Sequence, residues 1–288
     1  MWSVMFSLFG SLSILCWVMA SFFAIKHKER SALFFQIFGM LIFAIFIAIV
    51  WIMLQRPPFK TMGETRIWYS FFLSVMGGVT YWRWKMGYLL TFTNLLAIVF
   101  VLLTIFKPEL QSKVLMPALQ SVWFIPHVVV YMFGYAVIGC GVVLGVLEFF
   151  RSTQMTRMTQ IYTDLLVRIG TVALGVGLCL GALWAKKAWG QYWSWDVKEV
   201  AALVTWVIFL LYIHLQKFTR INRKVLLIIL MIGFLALQFT WYGVKLLPDT
   251  KKSPHSFYDV AAFPRIFTTM VFFPSILSYF STTKTEVA

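Results

Sequence analysis

Long runs without charged side chains dominate this chain and restrict the folds that it can adopt. A helix needs about 20 consecutive, mostly apolar residues to cross a lipid bilayer. Asp, Glu, Lys and Arg are absent from nine runs, at residues 1–25, 31–55, 67–82, 86–106, 114–147, 169–185, 200–216, 225–244 and 266–283. We therefore predict an all-α polytopic membrane protein with about nine transmembrane helices, and with eight as the alternative.

Composition indicates lipid, rather than water, as the solvent of this chain. Its 288 residues are 61% hydrophobic and 12% charged, whereas a soluble domain has roughly 25% charged residues. The predicted helices use up the length, so any chemistry must take place on helices and short loops. The net charge of +15 is spread over the loops rather than collected in one arm, which argues against nucleic-acid binding.

The predicted helices fall into three parts. Residues 1–106 hold helices 1 to 4 and few polar features, and residues 107–264 hold helices 5 to 8, the outer loops and nearly all candidate chemistry. Residues 265–288 hold helix 9 and a tail. Prolines near the start of the fifth run predict that its first part is a loop or surface helix, and that helix 5 begins close to His127.

Charges between the helices fix the orientation of the chain only weakly. If the N-terminus is outside, thirteen of the 25 basic residues lie inside, so the positive-inside rule barely chooses, and the dense basic loop at residues 217–224 is the best single marker of the inner side. With that orientation, most of the 13 tryptophans fall at or near the outer face. Indoles on one side indicate a surface for a large flat apolar ligand, and an ordinary aromatic belt is the alternative.

Three of the four histidines lie in or beside the predicted membrane. His127 opens helix 5 and His255 lies in the last loop, both at the outer face, while His214 lies near the inner end of helix 7. An imidazole in this setting is costly unless it is paired or liganded. Taken one at a time, each of these residues can be explained as a histidine that is hydrogen-bonded within the helix bundle. Together with an indole-rich loop, however, they indicate haem, for which imidazole is a common axial ligand.

Distance decides which of these histidines can share an iron. Two axial nitrogens, each about 2 Å from one metal, lie about 4 Å apart. His214 follows Val200 by fourteen residues on one helix, or about 21 Å at 1.5 Å per residue. We therefore predict that His127 and His255 can hold one iron together, and that His214 belongs to a second site.

Aromatic residues crowd into the loop before helix 7. Residues 189–199 read WGQYWSWDVKE, with four aromatics in the first seven positions and a flexible glycine at Gly190. Such a loop can lie flat along a macrocycle. The stretch resembles the WGxxWxWD signature of the WWD-domain haem-handling family, and in particular its CcsA-type members, which serve the System II pathway of cytochrome c biogenesis.

The sequence around this loop strengthens the resemblance, which covers roughly residues 117–258. His127 is similar to the histidine before the family's tryptophan loop, His255 in HSFY to the one after it, and His214 to the one that ends the next helix. Two positions depart from the family pattern, with Val197 in place of proline and Ala201 in place of tryptophan.

The resemblance implies a set of site residues. One haem iron would be held between His127 and His255, and a second haem would bind at His214. The first macrocycle would lie flat against the three indoles of the loop, which belong to Trp189, Trp193 and Trp195.

Four charged residues around the loop have two interpretations each. Asp196 either accepts a hydrogen bond from a ligand histidine or caps helix 7. The lysines either pair with haem propionates or are solvated at a helix end, and they are Lys186, Lys187 and Lys198.

As a function, the resemblance implies a component of a cytochrome c synthase, that is, a cytochrome c haem lyase. It would bind haem b transiently at the outer, periplasmic or lumenal, side of a bacterial inner membrane or thylakoid-type membrane. There the thiols of an apocytochrome c CxxCH motif would add to the haem vinyl groups. The implied partners are a CcsB/ResB-like membrane subunit, apocytochrome c and the lipid bilayer.

Three other functions are compatible with the sequence. A haem transporter or chaperone would pass haem outward without forming thioether bonds. A di-haem electron carrier would need two complete histidine pairs, and the odd His214 argues against it. A polytopic carrier whose tryptophans merely lie at the interface would bind no haem.

Overall fold

All regular structure in the described part of the chain is helical. The computed structural model describes residues 2–59, 61–106, 117–150, 157–218 and 221–246. Its long helices are α1 (Trp2–Ile25), α2 (Glu29–Leu54), α3 (Met62–Trp84), α4 (Gly87–Phe106), α5 (Phe124–Phe150), α6 (Arg157–Trp189), α7 (Val197–Leu215) and α8 (Arg223–Trp241). Single 3-10 turns lie at Pro117–Gln120 and Gly243–Leu246. The predicted all-α class is confirmed.

Seven of these helices, all but α3, are long and apolar enough to cross a membrane. α3 has 23 residues but carries Glu64 and Arg66 near its start and Arg83 in its last turn. The chain is therefore an integral membrane protein, and the eight long helices in the described residues roughly fit the predicted count of nine, or eight as the alternative. The predicted ninth helix, within residues 265–288, lies outside the described residues.

The start of α5 agrees with the prediction from the prolines. Pro117 begins a 3-10 turn, and α5 begins at Phe124, three residues before His127. Pro126 lies in the first turn of α5, where its missing N–H removes no helical hydrogen bond. His127 is consequently held on the first turn of a long helix rather than in a loop.

α6 is longer than the uncharged run at residues 169–185 predicts. It spans 33 residues, from Arg157 to Trp189, because charged residues at its start are paired within the bundle. Asp164 accepts a hydrogen bond from Arg223 of α8 at 2.9 Å, and Arg168 donates to Gln216 just beyond α7 at 3.1 Å. Absence of charge therefore marks the centre of this helix but not its end.

Consecutive helices pack as pairs, α1 with α2, α3 with α4, α5 with α6 and α7 with α8. α1 also contacts α4, which closes the first four helices into a bundle, and α5 contacts both α3 and α8. One continuous hydrophobic core extends from Phe6 in α1 to Trp241 in α8. α5 thus joins the first four helices to the last two.

Glycines allow α5 and α6 to approach closely. A Cβ atom on Gly134 would lie 3.2 Å from the Leu174 side chain, and one on Gly141 would lie 3.1 Å from Val167. A Cβ atom on Gly170 would collide with Ile138. Small residues at such contacts are a common means of packing helices within a membrane. Close packing here brings the first turn of α5 against the last turns of α6.

A buried amide pair holds the first bundle together. Gln36 of α2 and Asn94 of α4 donate to each other's side-chain oxygens, at 3.1 and 2.9 Å. Gln36 also donates to the Ser74 carbonyl at 2.8 Å, and Asn94 to the Trp17 carbonyl at 3.2 Å. Cross-helix hydrogen bonds of this kind satisfy polar groups that lipid cannot, so α1 to α4 form a scaffold.

Candidate functional site

A cavity of about 140 Å³ lies between α5, α6, α7 and α8 and the Trp189–Asp196 loop. We call this end of the bundle the loop end. A largely apolar cavity with a few polar groups is typical of small-molecule sites. The aromatic and polar side chains that line it are Thr65, Phe124, His127, Tyr131, Tyr135, Trp184, Tyr192, Trp193, Lys198, Glu199, Thr240 and Trp241.

His127 is oriented by a hydrogen bond to the backbone of α6. Its Nδ1 lies 2.8 Å from the carbonyl oxygen of Gly177. A carbonyl only accepts hydrogen bonds, so Nδ1 carries the proton and the neutral ring keeps its lone pair on Nε2. Metal-binding histidines are commonly oriented in this way. The ring therefore has the tautomer that an Nε2 metal ligand requires.

Aromatic rings enclose this imidazole on two sides. The ring centroid of Trp184 lies 5.6 Å away in a stacked arrangement, and that of Tyr131 lies 4.9 Å away, edge to face. A Cβ atom on Gly181 would lie 2.8 Å from Cε1 of His127. The imidazole is thus held by contacts from both α5 and α6.

The loop begins and ends with residues in unusual backbone conformations. Gly190 ends α6 with φ +86°, the left-handed conformation in which glycine commonly terminates a helix. Lys186 donates to the Gly190 carbonyl at 2.9 Å and lies 5.3 Å from the ring centroid of Tyr192. Trp195 has φ +56°, which is uncommon for any residue except glycine. These positions turn the chain sharply from α6 into α7.

Asp196 and Glu199 form a capping box at the start of α7. Asp196 Oδ2 accepts a hydrogen bond from the Lys198 N–H at 3.2 Å. Glu199 Oε2 accepts from the backbone N–H groups of Ser194 and Asp196, at 2.8 and 3.3 Å. Of the two interpretations of Asp196, the structure shows helix capping. Its role as an acceptor for a ligand histidine stays a prediction.

The three predicted indoles occupy different environments. Trp193 lines the cavity, Trp189 packs edge-on against Trp184 with centroids 5.0 Å apart, and Trp195 is 73% exposed. The rings of Trp193 and Trp195 lie at 85° to each other. In this conformation, one flat ligand can lie parallel to only one of those two rings.

Several lining residues were missed by the sequence reasoning. Tyr131 and Tyr135 follow His127 by four and eight residues, a spacing that places them on its face of α5 and could have identified them. Glu199 was also recognisable, because Asp-x-x-Glu at a helix start is typical of a capping box. Trp241 reaches the cavity from α8, and no local pattern predicts that contact.

His214 lies far from this cavity. It follows Glu199 by fifteen residues on α7, or about 22 Å along the helix axis. Its Nδ1 lies 2.8 Å from the carbonyl oxygen of Leu210, so its lone pair is also on Nε2. The side chain is exposed. The structure therefore separates His214 from His127, as the helix length predicts.

A charged network lies near His214, at the end of the bundle that we call the network end. Arg223 donates to both carboxylate oxygens of Glu148, at 2.7 and 3.0 Å, and to Asp164 at 2.9 Å. The same oxygen of Asp164 accepts from the Tyr212 hydroxyl at 2.7 Å and from Gln216 at 2.8 Å. These bonds join the ends of α5, α6, α7 and α8.

His255 lies outside the described residues, so its distance from His127 stays a prediction. No group of three or more His, Cys, Asp or Glu suited to a metal ion occurs in the ranges that the structure describes. Haem does not need one, because the porphyrin supplies four nitrogens and the protein supplies axial ligands. His127 and the aromatic cavity fit that requirement.

Comparison with known proteins identifies the family. Residues 5–251 match the family model described as Cytochrome C assembly protein. The cytochrome c biogenesis protein CcsA of Cuscuta exaltata is 30% identical over 259 residues, 76% of this chain and 82% of the relative. CcsA of Panax ginseng is 28% identical over 272 residues, 77% of this chain and 83% of the relative.

A solved structure shares the fold. The cytochrome c haem lyase CcmF superposes with a TM-score of 0.67 at 14% identity, over 83% of this chain and 46% of CcmF. This chain therefore spans less than half the length of that protein. Together with the sequence matches, which confirm the CcsA-type resemblance, these observations show that the chain belongs to the cytochrome c assembly protein family.

Proposed function

We propose that this chain delivers haem to apocytochrome c and takes part in attaching it covalently to CxxCH motifs, as the membrane component of a cytochrome c synthase. The observation that carries this proposal is the setting of His127. Its Nδ1 is fixed by the Gly177 carbonyl, its ring lies between Trp184 and Tyr131, and it lines an aromatic cavity beneath the WGQYWSWD loop.

Haem b is the proposed ligand. Nε2 of His127 supplies an axial lone pair, and the ring of Trp193 supplies an apolar face. His255 is the proposed second axial ligand, with Trp189 and Trp195 as further contacts. The loop end is proposed to face the periplasm or the lumen, so that a secreted apocytochrome can reach the ligand.

The chemistry proposed at this site needs position more than functional groups from the protein. Each thiol of the CxxCH motif adds across one vinyl group, with sulfur bonded to one carbon and hydrogen to the other, so atoms balance without an oxidant. The histidine of the motif replaces one axial ligand. Holding the reactants together in one orientation is itself a large source of acceleration. Cys16 and Cys140 of this chain are buried and take no part.

His214 is proposed to bind a second haem at the network end, before transfer to the loop end. A CcsB/ResB-like partner subunit is proposed to supply the other axial ligand. The exposed position of His214 supports this proposal, because an exposed imidazole on the last turn of a spanning helix can face a ligand or a neighbouring subunit.

Replacement of the proposed ligands tests the site. His127→Ala and His255→Ala should each lower the haem that copurifies with the full chain or shift its absorption spectrum, because an axial bond is lost. Added imidazole should restore part of the signal. His27→Asn is the matched control, since His27 lies in the turn between α1 and α2 with φ +56° and Asn tolerates that conformation. Unchanged spectra in both ligand variants would contradict the site.

A second measurement separates the synthase from a haem chaperone. The full chain, with its partner subunit and reduced haem, is incubated with a CxxCH peptide. A synthase yields a covalent haem peptide that survives acid extraction, whereas a chaperone yields only haem that can be extracted. Absence of covalent product in the wild-type complex would refute the synthase assignment and leave haem binding intact.

A further inference from the structure

Two donors at the loop end have no hydrogen-bond partner among the residues that the structure describes. The indole N–H of Trp193 is buried and forms no hydrogen bond with any described residue. Lys198 is half-buried and lines the same cavity. The Asp196 carboxylate acts on its charge from a distance, but Lys198 forms no ion pair with any carboxylate in the described ranges. An unpaired buried donor costs free energy, and an unpaired ammonium group beside a membrane costs more. The buried N–H of Trp193 therefore calls for an acceptor, and the Lys198 ammonium group at the same cavity can donate to it.

Two neighbouring polar groups of the cavity, Glu199 and His127, already have partners. Glu199 accepts from the backbone and side chain of Ser194, and His127 donates through Nδ1 to Gly177. The deficit in this part of the wall is one of acceptors, since both Trp193 and Lys198 can only donate. A ligand group that complements them must accept hydrogen bonds and carry negative charge.

The geometry distinguishes Lys198 from the two other lysines near the loop. The Lys186 ammonium group donates to the Gly190 carbonyl and lies over the Tyr192 ring. Lys187 is exposed and does not line the cavity. Lys198 lies in the capped first turn of α7, which fixes the position of its backbone. A carboxylate is the matching acceptor, because its two oxygens can take both donors at once.

We propose that Lys198 and the indole N–H of Trp193 together bind a carboxylate of the ligand, and that they set its orientation. This inference rests on the proposed function, under which the carboxylate is a haem propionate. Haem carries its propionates along one edge and its vinyl groups on the other pyrroles. Anchoring a propionate at the start of α7 directs the vinyl groups away from Lys198, where incoming thiols can meet them.

The test compares two ligands that differ only in the carboxylates. Iron protoporphyrin IX and its dimethyl ester are titrated into the purified full-length protein with its partner subunit, and binding is followed by absorption. The wild type should prefer the free acid. Lys198→Met should reduce that preference about tenfold, since a charge-assisted hydrogen bond is lost. Lys198→Arg should retain it.

Trp193→Phe tests the second donor, because it keeps an aromatic ring but removes the N–H. It should reduce the preference for the free acid about threefold to fivefold, as expected for one neutral donor. Lys187→Met is the matched control and should leave the preference unchanged. The ratio of the two affinities is the informative quantity, since general damage to the site lowers both affinities together.

The outcomes separate this inference from the proposed function. Equal affinity for acid and ester in the wild type, with haem binding that still depends on His127, would overturn the propionate site and leave the proposed function in place. An unchanged preference in Lys198→Met would overturn it as well. If the wild type binds neither ligand, the proposed function itself fails.

Discussion

The two ends of the α5–α8 bundle differ in whether their polar side chains have hydrogen-bond partners. At the network end, Arg223, Glu148 and Asp164 satisfy one another, with further bonds to Asp164 from neighbouring helices. At the loop end, Trp193 and Lys198 line a cavity, and neither side chain donates a hydrogen bond to a described residue. A saturated polar network makes a bundle rigid, whereas a partly satisfied one is costly until something binds.

This difference assigns separate tasks to the two ends. The network of Arg223, Glu148 and Asp164 joins the ends of four helices, so its role is structural. The cavity places His127, aromatic walls and two donors around a single space, so its value is in binding. Variants of the Arg223, Glu148 and Asp164 network should therefore change stability with little effect on the haem bound at the loop end per folded molecule. Variants at the loop end should change that binding with little effect on stability.

The largest effect is expected for Arg223→Met. It leaves the Glu148 side chain, which is 3% exposed, without its ion pair, and removing one partner of a buried pair costs about 3–5 kcal/mol. The midpoint of thermal unfolding in detergent should fall markedly. The control is Arg168→Met, because Arg168 donates to Gln216 in an exposed position and its loss should cost little.

Haem measurements on the same variant sharpen the contrast between the ends. The haem bound at the loop end per folded molecule of Arg223→Met should equal that of the wild type when both are measured well below the unfolding midpoint. If Arg223→Met unfolds at the same temperature as the wild type, the network does not stabilise the bundle. Loss of loop-end haem at full folding would show that the two ends are coupled.

Glu199→Ala should have the next largest effect, and it should appear at the loop end. The variant loses the acceptor for the N–H groups of Ser194 and Asp196, and each such bond contributes about 1 kcal/mol or more when the acceptor is charged. Hydrogen exchange across residues 190–196 should accelerate. Haem affinity should fall about tenfold, since about 1.4 kcal/mol corresponds to that factor.

The matched control for that change is Glu29→Ala. Glu29 pairs with Lys85 at 2.8 Å, but about half of its side chain is exposed, so the pair contributes little. Glu199→Gln keeps one acceptor oxygen and should lie between wild type and Glu199→Ala. If hydrogen exchange across residues 190–196 is as slow in Glu199→Ala as in the wild type, the capping box does not hold the loop in place.

Local patterns in the sequence predicted the parts of the structure that depend on local physics. The uncharged runs located the helix centres, and the prolines before His127 located the start of α5. The first part of α6, which carries Asp164, was not predicted to be helical because it is charged. The charge of Asp164 is balanced by Arg223, which lies fifty-nine residues away in the sequence. The hydropathy of one segment cannot predict an ion pair with a distant residue.

The candidate site divides in the same way. The WGQYWSWD stretch and His127 were recognisable from residue types and spacing. The choice of Lys198 over Lys186 and Lys187 was not, since all three flank the loop in sequence and only the packing of α7 against α6 and α8 separates them. Trp184 and Trp241 join the wall through packing against His127 and Tyr135, which are distant in sequence.

Gly181→Ala should have an intermediate effect, through the position of one ring. Its Cβ would lie 2.8 Å from Cε1 and 2.9 Å from Nδ1 of His127, so the imidazole must shift and its bond to Gly177 must weaken. Overpacking of this kind costs about 1–3 kcal/mol, and haem affinity should fall about tenfold. In the control Gly139→Ala, the nearest atom is the Tyr69 hydroxyl at 3.8 Å. Equal haem affinity in both variants would show that the orientation of His127 does not matter.

The smallest effect is expected for Gly190→Ala, which changes the backbone alone. No atom lies within 4 Å of the position of the new Cβ, but φ is +86°, and a left-handed conformation costs an L residue about 1–2 kcal/mol. The loop should open slightly more often, so hydrogen exchange should accelerate less than in Glu199→Ala. Gly190→Asn should be milder, because Asn tolerates positive φ better. If Gly190→Ala opens the loop as far as Glu199→Ala does, the turn after α6, rather than the carboxylate of α7, determines whether the loop end stays closed.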